Sequence, residues 1–221
     1  MKLTWQLATL SACCVAMACA PRAAVQATGA SDAQMEGAHD HEQMDMASHE
    51  LPAIAGAGYT AADVRFMQNM IGHHDQALIM AAMVPTHGAG EMVQKAAEKI
   101  RISQRDEIAF MERWLVARDQ AVPEDGSMHT MDMPGMLTPA QLDKLDSSRG
   151  REFDRLFLEF MIQHHRGALE MVDTLLANDG AAQDPQIFRF VTDVDADQRA
   201  EIFIMQNMLS MFDTPQGSPS P

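Results

Sequence analysis

Cysteine is almost absent from this sequence. Its three copies, Cys13, Cys14 and Cys19, all lie within the first 19 residues. If that leader is removed, the rest of the chain can form no internal disulfide and offers no thiolate to a metal ion. Any soft sulfur ligand in the body of the protein must then be methionine.

Basic residues are also scarce. The chain has 16 lysines and arginines against 31 aspartates and glutamates, which gives a formal net charge of −15 at pH 7. A nucleic-acid-binding protein needs a basic surface to meet the phosphates, so this charge excludes nucleic acid as a partner. The same charge suits a soluble protein that attracts cations weakly and without specificity.

The chain opens with a short apolar leader, MKLTWQLATLSACCVAMAC. One lysine, an apolar run and small residues before cysteine are typical of an export signal rather than of a membrane span. We therefore predict that residues 1–19 are a signal peptide. A lipoprotein-type cut fits before Cys13 or Cys19, a plain cut also fits before Cys19, and we favour Cys19. A lipid on that cysteine is the only predicted link to a membrane.

Helical signals dominate the chain after residue 58, and few segments show the alternation of a strand. Residues 20–58 lack apolar periodicity and are predicted to be a disordered tail rich in methionine and histidine, and residues 213–221 a disordered C-terminus. Capping signatures begin at Thr60 and at Thr138, where a short helix is predicted. A methionine-rich loop is predicted over 121–137. The four long predicted helices span roughly residues 60–83, 91–118, 149–177 and 186–212.

The first and third long helices repeat one another. FMQNMIGHHDQALIM (66–80) and FLEFMIQHHRGALEM (157–171) are identical at eight of fifteen positions, at an offset of 91 residues. A weaker repeat relates QRDEIAFMERWL (104–115) to QRAEIFIMQNML (198–209) in the second and fourth helices. We predict two related helical hairpins that pack as an all-α four-helix bundle over residues 59–212.

The repeated helices share one face, and both adjacent histidines of each copy belong to it. At 100° per residue, the identical positions all fall on one half of the helix. Ala77 and Ala168 lie between the directions of the two histidines and leave room beside them. We predict a metal site on this face. Its candidate ligands are His73, His74, His164, His165, Met70, Met80, Met161 and Met171.

A purely structural interpretation of the four histidines stays open. Buried histidines can be satisfied by hydrogen bonds to neighbours on the partner helices. If the site binds metal, the same neighbours would instead orient the imidazole rings. The residues expected in either role are Gln104, Glu107, Gln198 and Glu201.

Methionine is the most unusual feature of the composition, with 20 copies. Methionine often fills irregular cores, but two polar segments that cannot form a core, HDHEQMDMASH and MHTMDMPGM, are also rich in it. In flexible chain, closely spaced thioethers can wrap a Cu(I) ion of low coordination number. The further candidate ligands are His39, His41, Met44, Met46 and His49 in the tail, and Met128, His129, Met131, Met133 and Met136 in the loop.

This ligand set indicates which metal is preferred. Imidazole with thioether suits Cu(I) and, by the same softness, Ag(I), whereas histidines alone also suit Cu(II) or Zn(II). A di-iron bundle is the main rival, but it requires Glu-x-x-His motifs within the helices. The sequence has this spacing only at Glu36 and His39, in the tail. We therefore predict copper rather than iron.

The motif Met-x-x-His-His-x-x-Ala-x-x-Met, present twice together with the Gln-x-x-Glu-Ile helices, resembles a bacterial family catalogued as domain-of-unknown-function family three hundred and five. The resemblance covers about residues 59–212 and implies a ferritin-like bundle. Some members are exported copper-binding proteins linked to copper tolerance, so it implies a similar role here. It implies as ligands His73, His74, Met80, His164, His165 and Met171.

Together these features predict an exported copper-binding protein of the bacterial envelope, in the periplasm or lipid-anchored. Its cargo would be Cu(I), with Cu(II) or Ag(I) as alternatives, held for sequestration or tolerance or handed to an efflux or storage partner. A metal-dependent oxidoreductase using the same histidines is one alternative, although no general base, nucleophile or cofactor motif supports an enzyme. A metal-independent envelope chaperone with an adaptable methionine-rich surface is the other.

Overall fold

The structure is a computed structural model that describes residues 58–124 and 133–213. Within these ranges it contains five α-helices, one 3-10 turn and no β-strand, so the predicted all-α class is confirmed. The predicted signal peptide and nearly all of the tail lie outside the described residues, as do residues 214–221. The helices are α1 (Ala61–Met83), α2 (Glu91–Val116), α3 (Pro139–Ser147), α4 (Gly150–Leu176) and α5 (Pro185–Asp213).

The four long helices form two hairpins. Helix α1 packs along α2, and α4 packs along α5, while the two hairpins meet chiefly through α1 and α4. The short helix α3 contacts both α4 and α1. This arrangement is compatible with the predicted four-helix bundle. It makes α1 and α4, the two helices that carry the paired histidines, the central pair. No helix in the described ranges is both long enough and apolar enough to cross a membrane.

Both predicted capping boxes are present. Thr60 accepts a hydrogen bond from the backbone N–H of Asp63 at 3.2 Å, and the Asp63 carboxylate accepts one from the backbone N–H of Thr60 at 2.7 Å. Thr138 and Gln141 make the same exchange at the start of α3. Such caps satisfy backbone donors that a helix leaves free in its first turn. The beginnings of α1 and α3 are therefore set by local sequence.

Two buried aspartates tie the hairpins to each other. Asp63 in α1 also accepts a hydrogen bond from the backbone N–H of Ala182, just before α5, at 2.7 Å. Asp154 in α4 accepts from the backbone N–H of Gly90, at the start of α2, at 3.0 and 3.1 Å. Each aspartate thus holds the entrance to the second helix of the opposite hairpin, and their role in this structure is structural.

The buried apolar side chains divide into two clusters, and each cluster draws on all four long helices. Along α1 the first cluster ends at Ile71 and the second begins at Ala77, while along α4 the boundary falls between Ile162 and Ala168. The two histidine pairs occupy this boundary, so a polar layer separates the clusters. The buried methionines of the first cluster are Met67, Met70, Met111, Met133 and Met171, and those of the second are Met80, Met161, Met205 and Met208.

Candidate metal centre

The four histidines of the repeated motif form one buried layer. None of them is more than 1% exposed to solvent. The rings of His73 and His164 are in contact where α1 meets α4, with centroids 3.9 Å apart and ring planes inclined by 37°. The centroid of His74 lies 6.4 Å from that of His73, and the centroid of His165 lies 6.2 Å from that of His164. His73 and His164 therefore form the centre of the layer.

The two central imidazoles are held by backbone carbonyls. Nε2 of His73 lies 3.0 Å from the carbonyl oxygen of Pro134, and Nε2 of His164 lies 2.8 Å from the carbonyl oxygen of His73. A carbonyl oxygen can only accept, so we assign the proton of each neutral ring to Nε2. Nδ1 of both rings then carries a free lone pair, which is the form in which imidazole binds metal.

The two outer imidazoles are held by glutamates from the partner helices. Nε2 of His74 lies 2.5 Å from Oε2 of Glu107 in α2, and Nε2 of His165 lies 2.8 Å from Oε2 of Glu201 in α5. These two predicted contacts are confirmed. A carboxylate behind an imidazole fixes the orientation of the ring and makes it a better ligand.

The expectation that two glutamines would serve the same purpose is wrong. Gln104 and Gln198 are buried, but neither has a hydrogen bond to a histidine, and Oε1 of each has no hydrogen-bond partner among the described residues. The glutamates lie about one turn further along each helix, and at that position the carboxylate meets the ring. The glutamines thus contribute polarity next to the layer without orienting a ring.

All four Nδ1 atoms of the layer are buried and lack a hydrogen-bond partner in the described parts of the chain. A fifth buried histidine, His87, is the internal comparison. Its Nδ1 lies 2.9 Å from the hydroxyl oxygen of Thr86 and 2.7 Å from the carbonyl oxygen of Met83, and its Nε2 lies 2.9 Å from the carbonyl oxygen of Asp146. A buried polar atom without a partner costs about 1–3 kcal/mol. Four such atoms in one layer make these histidines candidate metal ligands.

Burial keeps the central pair neutral. Desolvation is the main cause that lowers the pKa of His73 from 6.5 to about 3. A positive charge on His74 would lower it further, while the hydrogen bond to Pro134 opposes the shift. Desolvation, followed by the charge of His73, also lowers the pKa of His164 well below 6.5. Both rings are therefore neutral at pH 7, and an incoming metal ion need not displace a proton from Nδ1.

The motif methionines occupy two different levels. Met70 precedes His73 by three residues and Met161 precedes His164 by three, so each lies one turn away on the same face. Met80 and Met171 follow the same histidines by seven residues, about 10 Å along the helix axis. Met70, Met80 and Met161 are fully buried, and Met171 is 8% exposed. Among the four motif methionines, Met70 and Met161 are therefore the closer ones to the central histidines along their helices.

The other predicted ligands fall into two groups. Met133 is buried and Met136 is half-buried, both next to the central helix pair. The remainder lie outside the described residues, namely His39, His41, Met44, Met46, His49, Met128, His129 and Met131.

Within residues 58–124 and 133–213, no three histidine, cysteine, aspartate or glutamate side chains converge on a point that could hold a metal ion. The central rings contact each other, and each of the four imidazoles is bonded to a different partner, so they do not surround a common centre. A complete ligand set in this region therefore requires thioether sulfur in addition to imidazole, or a turn of one ring. The need for thioether sulfur favours a soft ion of low coordination number.

Sequence reasoning placed residues 133–137 in the methionine-rich loop but missed that this segment holds His73. Pro134 belongs to residues 133–137, which lie against α4 at Gly167 and are tied to α1 by Gln76. Pro-Gly at 134–135 indicates a turn, and Gly167 stands at the position corresponding to Gln76, 91 residues earlier. The unmatched glycine was the available sign of a close contact, because it lacks the side chain that the first copy of the motif has at the same position.

A negatively charged cleft reaches the layer from the other side. It lies between α2 and α5, has a volume of about 590 Å³ and is lined by Glu107. Burial, followed by the nearby charge of Glu107 and then of Glu201, raises the pKa of Asp197 in its wall. Glu107 both lines this cleft and binds His74, so the acidic lining of the cleft is in direct contact with the histidine layer. The other acidic lining residues are Asp106, Asp193 and Asp197.

The fold and the site together define an all-α protein whose centre is a buried histidine layer flanked by methionines. The chain belongs to DUF305, a family described as a domain of unknown function, whose sequence profile matches residues 63–209. The resemblance inferred from the repeated motif is thus confirmed. No protein with a curated description matches the sequence significantly.

Several solved structures resemble this one. A DUF305 fragment from Deinococcus radiodurans is 31% identical, with a TM-score of 0.61 over 69% of this chain and 98% of the fragment. A DUF305 protein from Streptomyces coelicolor, presented as a candidate secreted protein, is 26% identical, with a TM-score of 0.62 over 74% of this chain and 99% of that chain.

CopM is a further structural relative, solved with copper in two oxidation states. Its Cu(I)-bound form is 27% identical, with a TM-score of 0.56 over 69% of this chain and 98% of CopM. Its Cu(II)-bound form is also 27% identical, with a TM-score of 0.53 over 68% of this chain and 97% of CopM.

Proposed function

We propose that this protein is an exported copper-binding protein of the bacterial envelope. It captures Cu(I), with Cu(II) or Ag(I) as alternative cargo, and serves copper sequestration, tolerance or delivery to an efflux or storage partner. The observation that carries this proposal is the layer of four buried histidines whose Nδ1 atoms all lack a hydrogen-bond partner within residues 58–124 and 133–213. The likeness to CopM, which binds copper in both oxidation states, supports the choice of metal.

In this proposal some residues orient the imidazole rings and others supply sulfur ligands. The Pro134 carbonyl and the Glu107 and Glu201 carboxylates hold the Nε2 sides of three rings, which leaves Nδ1 as the ligand atom. Met70 and Met161 supply thioether sulfur from one turn away. Imidazole and thioether together stabilise Cu(I) over harder ions. Because the central rings are neutral, binding does not compete with a proton near pH 7.

The methionine- and histidine-rich tail and loop act as collectors in this proposal. Their thioethers and imidazoles bind Cu(I) in an adaptable way and raise its concentration next to the bundle, which then holds it more firmly. The net charge of −15 adds a weak attraction for any cation. Export follows from the predicted leader, and the likeness to a candidate secreted protein from Streptomyces coelicolor supports it.

Anaerobic titration with Cu(I) against a competing chelator tests the proposal. The chain from residue 20 is compared with a quadruple variant in which His73, His74, His164 and His165 are alanine. We expect the variant to lose at least one tightly bound copper per protein. His87→Gln is the matched control, because His87 is buried but fully hydrogen-bonded. It should keep the full stoichiometry. Equal copper uptake by the wild-type protein and the quadruple variant would contradict a site in the bundle.

A further inference from the structure

Residues 133–137, called the strap below, lie directly on the central helix pair. On the α4 side the strap rests on Gly167, where an added Cβ would overlap the carbonyl group of Pro134. Gly135 has a φ of +74°, and a Cβ there would lie 2.7 Å from the carbonyl oxygen of Gln163. Side chains at 135 or 167 would therefore hold the strap away from α4. This close approach depends on two glycines.

On the α1 side the strap is fastened by side chains. Gln76 accepts a hydrogen bond from the backbone N–H of Leu137 at 2.7 Å and donates one to its carbonyl oxygen at 3.0 Å. His73 donates from Nε2 to the carbonyl oxygen of Pro134 at 3.0 Å. Gln76 is 2% exposed, so its two bonds are shielded from water. Three hydrogen bonds thus hold the strap to α1.

The strap makes the two central histidines unequal. His164 is bonded to the carbonyl oxygen of His73, which belongs to the rigid helix α1. His73 is bonded instead to Pro134, in a segment outside any helix. While that bond is made, the ring of His73 is fixed with its Nδ1 buried. If the strap moves away, the ring of His73 is released, whereas that of His164 stays in place.

A second cleft ends at the strap. It lies between α1 and α4, has a volume of about 360 Å³, and includes the exposed side chains of Arg65 and Thr174, so it reaches the surface. Met133 and Met171 both line it and provide two thioethers. Pro134 lines the same cleft and also binds His73. The strap therefore stands between a surface cleft that contains soft ligands and the buried imidazole layer.

We propose that this cleft is the route by which copper enters and leaves the histidine layer, and that the strap is its gate. Met133 and Met171 hold the soft ion at the mouth. Pro134 then releases His73, whose ring turns so that Nδ1 takes the ion, and the bond from Nε2 to Pro134 re-forms once the ion is bound. This inference rests on the proposed function, because it assumes that copper is bound at the layer, but it makes a separate claim about rates.

Two variants loosen the strap by different means. Gly167→Ala introduces a Cβ that overlaps Pro134, and Gln76→Ala removes both bonds to Leu137. The exposed residue Glu170, one turn from Gly167, provides the control Glu170→Ala. In the copper-free full chain, faster hydrogen exchange at the Leu137 amide in Gly167→Ala shows that the strap has opened. If Gly167→Ala does not fold, Gln76→Ala alone decides the outcome.

The decisive readout is the rate at which excess chelator removes Cu(I), measured by stopped-flow mixing. Loss of two hydrogen bonds of about 1 kcal/mol each predicts removal roughly tenfold faster or more, with wild-type stoichiometry and no change in the control. Wild-type removal rates in Gln76→Ala, or in Gly167→Ala once its strap is shown to have opened, would overturn the gate. If copper binding does not depend on the four histidines, the proposed function fails instead, which the stoichiometry of the quadruple variant shows separately.

Discussion

At the scale of single residues, the protein contains two kinds of buried histidine. His87 uses both ring nitrogens in hydrogen bonds, as a structural histidine does. In the part of the chain that the structure describes, the four histidines of the layer make hydrogen bonds through Nε2 alone. The sequence alone identifies the layer because two copies of His-His share one helical face. It cannot separate a satisfied ring from an unsatisfied one, because the Nε2 partners of His73 and His87 come from segments distant in the sequence.

The lowered pKa values of the central histidines predict how stability depends on pH. The unfolded chain protonates these histidines near pH 6.5, whereas folded His73 takes up a proton only near pH 3. Between these values the unfolded state binds more protons, so the free energy of unfolding should fall as pH falls. One such histidine can change the free energy of unfolding by at most about 1.4 kcal/mol per pH unit. Above pH 6.5 both states are unprotonated at these histidines, so the free energy of unfolding no longer changes with pH on their account.

Urea unfolding of the copper-free protein between pH 7.5 and 5 measures this dependence. That range lies above the pH at which most carboxylates titrate, so the histidines dominate the slope. Replacing His73 by Ala should make the slope shallower, whereas Arg166→Ala, at an exposed position of α4, should leave it unchanged. Identical slopes in the wild-type protein and His73→Ala would show that His73 is not held neutral by burial.

At the scale of elements, local signals account for the helices. The beginnings of α1 and α3 follow from the capping residues Thr60 and Thr138. The order of the helices follows from the periodicity of apolar residues along the sequence. The strap was not predicted, because its position depends on Gln76, on Gly167 and on the meeting of α1 with α4. Such contacts between distant segments leave only a weak trace in a single sequence.

Asp63 belongs both to the capping box of α1 and to the contact with the second hairpin, so its loss should destabilise the protein. Asp63→Ala removes the N3 partner of the α1 capping box and leaves the buried N–H of Ala182 without its acceptor. We expect the free energy of unfolding to fall by about 2–4 kcal/mol. Chemical denaturation checks this value. Asp195→Ala, which breaks an ion pair with Arg199 on the exposed side of α5, is the control and should cost about 0.5 kcal/mol or less. A similar small cost for Asp63→Ala would refute the tie between the hairpins.

At the scale of the whole molecule, the polar layer divides the core into two apolar clusters. The clusters provide the burial that holds the hairpins together, and the unpartnered Nδ1 atoms between them work against it. A protein selected for stability alone would fill this level with apolar side chains. The fold class and the histidine face were accessible from sequence, because periodicity and the repeat encode them. The direction of each ring was not, since it depends on how α1 and α4 meet.

Anomalous difference density at the copper absorption edge, measured on crystals of the protein loaded anaerobically with Cu(I), locates the bound ion. The expected result is a copper peak at bonding distance from Nδ1 of His73 or His164, with the sulfur of Met70 or Met161 as a further ligand. His87 should carry no peak. Copper bound only elsewhere, with all four Nδ1 atoms of the layer still without a ligand, would contradict the assignment of the layer as the metal site.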